Sequence, residues 1–210
     1  MSKMNLPNKL TVVRLIMVPI FMVVMLLPAF FNFPYVADVI LNLSGAALFI
    51  IASLTDMLDG KIARKHNLVT DFGKFMDPLA DKFMVIGAML CIFYVNADAG
   101  NTVISTLYFF TLVIVIFREL AVTSIRLVAN SSSGVVIAAN ILGKLKTVTQ
   151  IVAVCSAIIE PVLWSLLGVK GWVAEYLPIT FAATVVTCYL TIHSGMNYIV
   201  GAWKYLDPEK

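Results

Sequence analysis

Charged residues are scarce in this sequence. Aspartate, glutamate, lysine and arginine together make up 13% of the 210 residues, whereas a typical soluble domain contains about 25%. Apolar residues make up 60%, and the mean hydropathy is +0.94. This composition excludes an ordinary soluble domain and predicts an integral membrane protein in contact with membrane lipids.

Cysteine is scarce as well. The three cysteines, Cys91, Cys155 and Cys188, lie in separate apolar runs and form no CxxC pair. That spacing excludes a CxxC redox or zinc motif, so we interpret all three as small buried apolar residues. The net charge is only +3, and we expect no nucleic-acid partner.

Long apolar runs dominate the rest of the chain. A membrane-spanning helix needs about 20 mostly apolar residues. Six runs satisfy this length, at residues 10–31, 36–54, 78–95, 103–128, 145–167 and 176–198. We therefore predict an all-α fold with six transmembrane helices, in a single membrane-embedded domain over residues 1–210. Because no small-residue cleavage site follows the first run, we expect a retained helix rather than a signal peptide.

Basic residues gather on one side of the predicted bundle. They flank the first span, fill the connection between spans two and three, surround the connection between spans four and five, and follow span six. The opposite connections hold a single basic residue, Lys170. By the positive-inside rule, this distribution predicts a multi-pass protein of the cell (inner) membrane with both chain ends in the cytoplasm.

Four aspartates lie at helical spacing around the connection between spans two and three. Asp56 and Asp59 are three residues apart, and Asp77 and Asp81 are four apart, so each pair shares one face of a helix. Four such anions repel one another, and hard divalent cations relieve the repulsion by accepting carboxylate oxygens. We therefore predict a metal site on the cytoplasmic side. Pro78 fits either a helix start with Asp77 as N-cap or a kink in a longer helix.

These aspartates belong to a longer pattern that includes two glycines. The full pattern is Asp56-x2-Asp59-Gly60-x2-Ala63-Arg64-x8-Gly73-x3-Asp77-x3-Asp81. At every position it resembles the signature of the CDP-alcohol phosphotransferase family. NLPNKLTVVRL from Asn5, RELAVTSIRL from Arg118 and GKLKT from Gly143, with HSGMNY near the C-terminus, are similar to one subgroup. The resemblance thus extends over nearly the whole chain.

This resemblance implies a fold of six membrane helices and a specific reaction. Members of that subgroup transfer the phosphatidyl group of CDP-diacylglycerol to glycerol 3-phosphate, giving phosphatidylglycerol phosphate and CMP. The family implies Mg²⁺ or Mn²⁺, with two ions in each site, and a homodimer. It also implies that Asp56, Asp59, Asp77 and Asp81 hold the metal ions and that Asp81 is the general base. The residues expected to bind CDP-diacylglycerol are Asn8, Thr11, Gly60, Ala63, Arg64, Thr70 and Gly73.

An acceptor that carries a phosphate requires a second group of basic residues. Arg118 and Arg126 are eight residues apart, about two turns on one face of span four. Arg118 lies within the span and is expected to face the interior and meet a partner. Glu119 is its neighbour in sequence but lies on another face of the helix. Lys144 and Lys146 begin span five. We predict that Arg118, Arg126, Lys144 and Lys146 bind the acceptor phosphate.

Other functions remain open at this point. A divalent-cation transporter would use the same carboxylates, but it predicts acidic groups near the membrane midplane in paired repeats, and no internal repeat is visible. A purely structural protein leaves the aspartate spacing unexplained. Within the family, phosphatidylglycerol, serine or inositol phosphate are alternative acceptors. The basic cluster favours a phosphorylated one, and the subgroup resemblance favours glycerol 3-phosphate. Glu160 and Pro161, within span five, have no functional account.

Overall fold

The computed structural model describes residues 5–65, 70–133 and 141–203, and all structural statements below concern these residues. They are helical, with short connections and without a β-strand. The helices are α1 (Leu6–Phe30), α2 (Tyr35–Lys65), α3 (Asp71–Asp98), α4 (Thr102–Ser133), α5 (Ile141–Leu166), α6 (Trp172–Tyr176) and α7 (Pro178–Ala202). The prediction of an all-α fold is confirmed.

Six of the helical segments in the described ranges are long and apolar enough to cross a membrane. They match the six predicted spans, with ends that shift by several residues. The sixth prediction, residues 176–198, missed a break at its start. Leu177 has a positive φ of 46° and separates the short α6 from α7, which begins at Pro178. Proline favours the first helical position, where its missing N–H needs no partner.

The two helices that carry the aspartates are longer than the apolar runs alone. Helix α2 continues to Lys65 and α3 begins at Asp71. Thr70 is the N-cap of α3, because its Oγ1 accepts a hydrogen bond of 3.1 Å from the backbone N–H of Gly73. The first of our two alternatives for Asp77 was therefore wrong. Asp77 lies inside the helix, and Pro78 is an internal proline.

The helices pack in an alternating, up-and-down order. Helix α1 packs against α2 and α3, α4 packs against α3 and α7, and α5 packs against α2 and α7. Their interior faces meet in an apolar core that includes Phe21, Phe49, Met89, Tyr108 and Val154. Many large apolar side chains instead lie on the outer surface, where acyl chains solvate them. The alternation brings the beginnings of α1, α3 and α5 together with the ends of α2, α4 and α7.

Glu160 joins α5 to α7 at the opposite end of the bundle. Its side chain is only 2% exposed. It accepts hydrogen bonds from the backbone N–H groups of Ile179 at 3.0 Å and Thr180 at 2.6 Å, from Thr180 Oγ1 at 2.6 Å and from Trp164 Nε1 at 3.0 Å. Leu177, at the N-cap of α7, has no polar side chain. Glu160 therefore caps α7 from another helix and satisfies N–H groups that an apolar bundle would otherwise leave unpaired.

Glu160→Gln is expected to lower the apparent Tm of the detergent-solubilised protein. The amide loses the charge that strengthens these bonds and directs N–H hydrogens at other donors, a loss of about 1.5–3 kcal/mol for a hydrogen bond to a charged group. Glu175→Gln is the matched control, because Glu175 is exposed at the same end of the bundle. Equal Tm values for the two variants would contradict a capping role for Glu160.

Candidate active site

A cavity of about 1070 Å³ lies at the end of the bundle where α2, α4, α5 and α7 meet α3. Its charged lining residues are the carboxylates of Asp56, Asp81 and Glu119 and the cations of Arg118, Arg126, Lys144 and Lys146. Asp81 is ten residues beyond the start of α3, which is about 15 Å at 1.5 Å per residue. The site therefore lies well below the end of the bundle, where charges need partners.

The two aspartates of the cavity, which form its acidic part, belong to α2 and α3, and α1 supplies a partner for one of them. Asp56 and Asp81 line the cavity together, close enough for their charges to interact, and Arg14 Nη1 of α1 lies 2.5 Å from Asp56 Oδ1. The Arg14 side chain is 0% exposed. This guanidinium offsets part of the negative charge that two neighbouring carboxylates create. Asp56 and Asp81 are thus held together by a cation from a third helix.

Our sequence analysis missed Arg14 as a site residue because a basic residue near a span end is sufficiently explained by topology. One signal was available. Arg14 follows Thr11 by three residues and therefore shares its helix face, and Thr11 was already a candidate ligand residue. The position of Asp56 opposite this face, however, depends on the packing of α1 against α2, which local spacing does not specify.

Four of the predicted nucleotide-binding residues lie together beside Asp77. Thr11 Oγ1 donates to Asp77 Oδ1 at 2.6 Å, and Thr70 Oγ1 donates to Asn8 Oδ1 at 3.0 Å. A Cβ atom on Gly73 would lie 3.0 Å from Asn8 Oδ1 and 3.4 Å from Thr70 Oγ1. The close approach of α1 and α3 at this point therefore favours glycine at position 73, because a larger residue would displace the Asn8 side chain.

The remaining predicted ligands are only partly described. Gly60 lies on α2 about one turn beyond Asp56 and is half-buried. The side chains of Asp59, Ala63 and Arg64 lie outside the described residues, although all three belong to α2. The roles of these residues, and of the other ligands named above, stay predictions.

The donor set around Asp56 and Asp81 fits a hard divalent cation. Within the described part of the chain, no three histidine, cysteine or acidic side chains gather as a complete metal site. The two neighbouring carboxylates are nevertheless oxygen donors of the kind Mg²⁺ and Mn²⁺ prefer. A cation between them would relieve a repulsion that Arg14 offsets from one side only. Asp56 and Asp81 are therefore the described residues that would hold a metal, with Asp77 one turn from Asp81.

The basic part of the cavity lies between α4 and α5. Arg118 Nη1 lies 3.0 Å from Glu119 Oε1, and Lys146 Nζ pairs with the same oxygen. Arg118 faces the interior and has a partner, as predicted. Arg118 and Glu119 begin on different faces of α4, yet their side chains are long enough to meet. Glu119 is a second residue that the sequence analysis did not place in the site.

Helix α7 supplies the far wall of the basic region. Arg126 Nε donates to the Tyr198 hydroxyl at 2.8 Å, and the guanidinium carbon lies 5.2 Å from the centre of the tyrosine ring. Ser194 and Asn197 line the same cavity, as does the exposed Lys144. The four predicted acceptor-binding cations are therefore brought to one cavity, with Tyr198 fixing the orientation of one of them.

Comparison with known proteins agrees with this geometry. A family model described as CDP-alcohol phosphatidyltransferase matches residues 4–194. The chain belongs to the CDP-alcohol phosphatidyltransferase family. Members of this family generally use a divalent metal, in keeping with the carboxylate pair of Asp56 and Asp81.

Individual members of the CDP-alcohol phosphatidyltransferase family match the chain nearly end to end. The CDP-diacylglycerol–glycerol-3-phosphate 3-phosphatidyltransferase of Bacillus subtilis is 40% identical, with 96% of this chain and 97% of the relative covered. The protein of the same name from Rickettsia bellii is 32% identical, with 96% and 97% covered. A probable phosphatidylglycerophosphate synthase of Mycobacterium tuberculosis is 32% identical, with 95% and 82% covered.

Gly73→Ala is expected to weaken binding of a cytidine diphosphate nucleotide. The added methyl group would push against Asn8, which is bonded to Thr70. Displacement of Asn8 is expected to remove about one hydrogen bond to the nucleotide, worth roughly 0.5–1.5 kcal/mol, or about two- to tenfold in affinity. Equilibrium nucleotide binding to the purified protein measures the loss.

Gly87→Ala is the matched control for this measurement. Its added Cβ would also meet an atom at 3.0 Å, but that atom is the sulfur of Met22, and the end of a flexible methionine can move aside. Equal nucleotide affinity for the two variants would contradict a role for the Asn8–Thr70–Gly73 contact in nucleotide binding.

Proposed function

We propose that this protein is a CDP-diacylglycerol–glycerol-3-phosphate 3-phosphatidyltransferase, an enzyme that catalyses one step of phospholipid biosynthesis. The names of relatives up to 40% identical over almost the full chain support this function. The structural observation that carries it is the juxtaposition, in one cavity, of the carboxylate pair Asp56 and Asp81 with four cations. A diphosphate donor requires the first group, and an anionic acceptor requires the second.

The reaction joins the acceptor to the phosphorus atom that carries diacylglycerol. The 1-hydroxyl oxygen of glycerol 3-phosphate forms the new P–O bond, while the P–O bond to CMP breaks and CMP leaves with the bonding electrons. Asp81 accepts the hydroxyl proton, which it can do because its carboxylate lines the cavity. Such transfers depend mainly on positioning and on stabilisation of charge.

The donor would be held by the acidic side of the cavity. Bound divalent ions, Mg²⁺ or Mn²⁺ and two in each site, would neutralise the diphosphate and the departing CMP. Asp56, Asp59, Asp77 and Asp81 would hold them. Asn8, Thr11, Thr70 and Gly73 would bind the nucleotide beside these carboxylates, together with Gly60, Ala63 and Arg64 of α2. Arg14 would keep Asp56 oriented, because their contact fixes one of its two oxygens.

The acceptor would be held by the basic side of the cavity. Its phosphate is a dianion, and Arg118 and Arg126 present planar groups that match phosphate oxygens. Lys144 and Lys146 add charge from α5. Since both groups of residues line the same cavity, an acceptor bound to the cations would direct its free hydroxyl towards Asp81. Serine carries no phosphate and would therefore use these cations less fully.

The lipid part of the donor would enter from the side. Ile50, Leu54 and Met57 of α2 and Val148 and Ile151 of α5 line the cavity between these two helices, and Leu54 and Met57 are half exposed at 49% each. Acyl chains could thus remain in the bilayer while the diphosphate reaches the carboxylates.

We further propose that each chain forms one catalytic domain, that the active site and both chain ends face the cytoplasm, and that the protein is a homodimer.

The direct test of the proposed function is CMP release from CDP-diacylglycerol by purified protein with Mg²⁺. We expect release with glycerol 3-phosphate and none with serine, phosphatidylglycerol or inositol phosphate added singly. Asp81→Asn should reduce turnover by at least about 100-fold, the usual range for loss of a general base, while nucleotide binding persists. Release with inositol phosphate alone would replace the acceptor, and no release with any alcohol would overturn the proposal.

Tyr198→Phe is expected to raise the KM for glycerol 3-phosphate by about three- to tenfold, since the lost hydrogen bond to Arg126 is worth roughly 0.5–1.5 kcal/mol. The effect on kcat should be small, because Tyr198 orients a binding residue. Steady-state kinetics at saturating CDP-diacylglycerol measure both constants. Tyr189→Phe on the same helix is the control, because Tyr189 is exposed and stacks on His193. An unchanged KM in Tyr198→Phe would contradict this role.

A further inference from the structure

Lys146 lies where two carboxylates compete for it. Its ammonium pairs with Glu119 Oε1 and also interacts electrostatically with Asp81. Lys146, Glu119 and Asp81 line the large cavity together, and the same three residues line a second, narrow cavity of about 40 Å³ below it. The structure thus shows Lys146 bound to one carboxylate with the other close by.

Pairing with Asp81 would conflict with the proposed metal site. An ammonium and a divalent cation seek the same carboxylate oxygens, and in the interior of a bundle the attraction between unlike charges is stronger than in water. Asp81 and Asp56 line the same cavity, so an ammonium on Asp81 would neutralise half of the carboxylate pair. A divalent cation would then have to displace it.

Without Glu119, the Lys146 ammonium would lose its partner and would be expected to move towards another carboxylate. The residue is buried, at 7% exposure, and an unpaired ammonium in such surroundings is costly. The four-carbon chain of Lys146 is flexible. Asp81 lines both cavities together with Lys146, whereas Asp56 lines the larger one. Loss of Glu119 would therefore transfer the Lys146 ammonium to the acidic side.

Arg118, the other partner of Glu119, is less free to make this change. Its side chain is packed between α5 and α7, because a Cβ on Gly195 would lie 3.1 Å from Arg118 Cγ and one on Gly143 would lie 3.8 Å from Arg118 Nη2. The close approach of Gly195 in particular limits the movement of the arginine stem. Lys146 is thus the cation whose position depends most on Glu119.

We propose that Glu119 is a positioning residue that holds the Lys146 ammonium on the basic side of the cavity and so keeps Asp81 available to a divalent cation. This inference rests on the proposed function, since it takes Asp56 and Asp81 to be metal-binding. It also explains why a carboxylate is present among residues that are expected to bind a phosphate, where its negative charge would otherwise be unfavourable. In this role the Glu119 carboxylate acts through the position of the Lys146 ammonium and does not touch the reacting atoms.

The test is equilibrium Mn²⁺ binding to purified protein without substrate, followed by the electron paramagnetic resonance signal of free Mn²⁺. Glu119→Gln is expected to weaken Mn²⁺ affinity about tenfold or more, the usual effect of losing a residue that orients a metal ligand. Glu119→Gln combined with Lys146→Met should restore the affinity, because the competing ammonium is gone. Glu119→Gln combined with Lys144→Met should not, although it removes the same charge two residues away.

The outcomes separate this inference from the proposed function. If the wild-type protein binds no Mn²⁺, the proposed metal site is overturned. If it binds Mn²⁺ and Glu119→Gln binds equally well, or if both double variants restore affinity alike, the positioning role alone is overturned. Lys146→Met in the wild-type background provides a second measurement should Glu119→Gln fail to fold. Its Mn²⁺ affinity is expected to be at least that of wild type, and a weaker one would also overturn the inference.

Discussion

Charge pairing inside an apolar bundle is the constraint on which this structure depends. A charged side chain at the centre of a membrane helix costs about 2.5–3.5 kcal/mol even on insertion scales, and seven charged side chains of the described residues line one cavity near the end of the bundle. Two contacts between helices make this tolerable, Arg14 with Asp56 and Lys146 with Glu119. They also divide the cavity into an acidic side and a basic side, which is the division that a diphosphate donor and an anionic acceptor require.

The two ends of the bundle use polar groups in different ways. At the end with the cavity, charges face an open space and keep some of their bonding capacity free for ligands. At the other end, Glu160 uses both carboxylate oxygens within the protein, on Trp164 and on the first turn of α7. Rigidity at the closed end supports the open end, since α5 and α7 both contribute walls to the cavity.

Much of this architecture was predictable from the sequence, because the bilayer fixes the length and polarity of a spanning helix. The acidic cluster was predictable too, since Asp77 and Asp81 are four residues apart and share one face of their helix whichever way that helix packs. The partners of charged residues were not. Arg14 and Asp56 are 42 residues apart, and Arg126 and Tyr198 are 72 apart. Such pairs depend on which helices become neighbours, and the spacing of residues along one helix carries no record of that choice.

The position of Arg14 in the first helix has a consequence for how the protein is made. Chains are synthesised from the N-terminus, so α1 reaches the bilayer before the helices that carry the acidic residues. Its guanidinium is already in place when the end of α2 arrives with Asp56, and its neighbour Thr11 is in place for Asp77 of α3. Asp56 and Asp77 therefore enter the bilayer after the α1 side chains with which they pair. The order of helices along the chain thus lets α1 provide partners for the acidic residues of α2 and α3 as those helices are added.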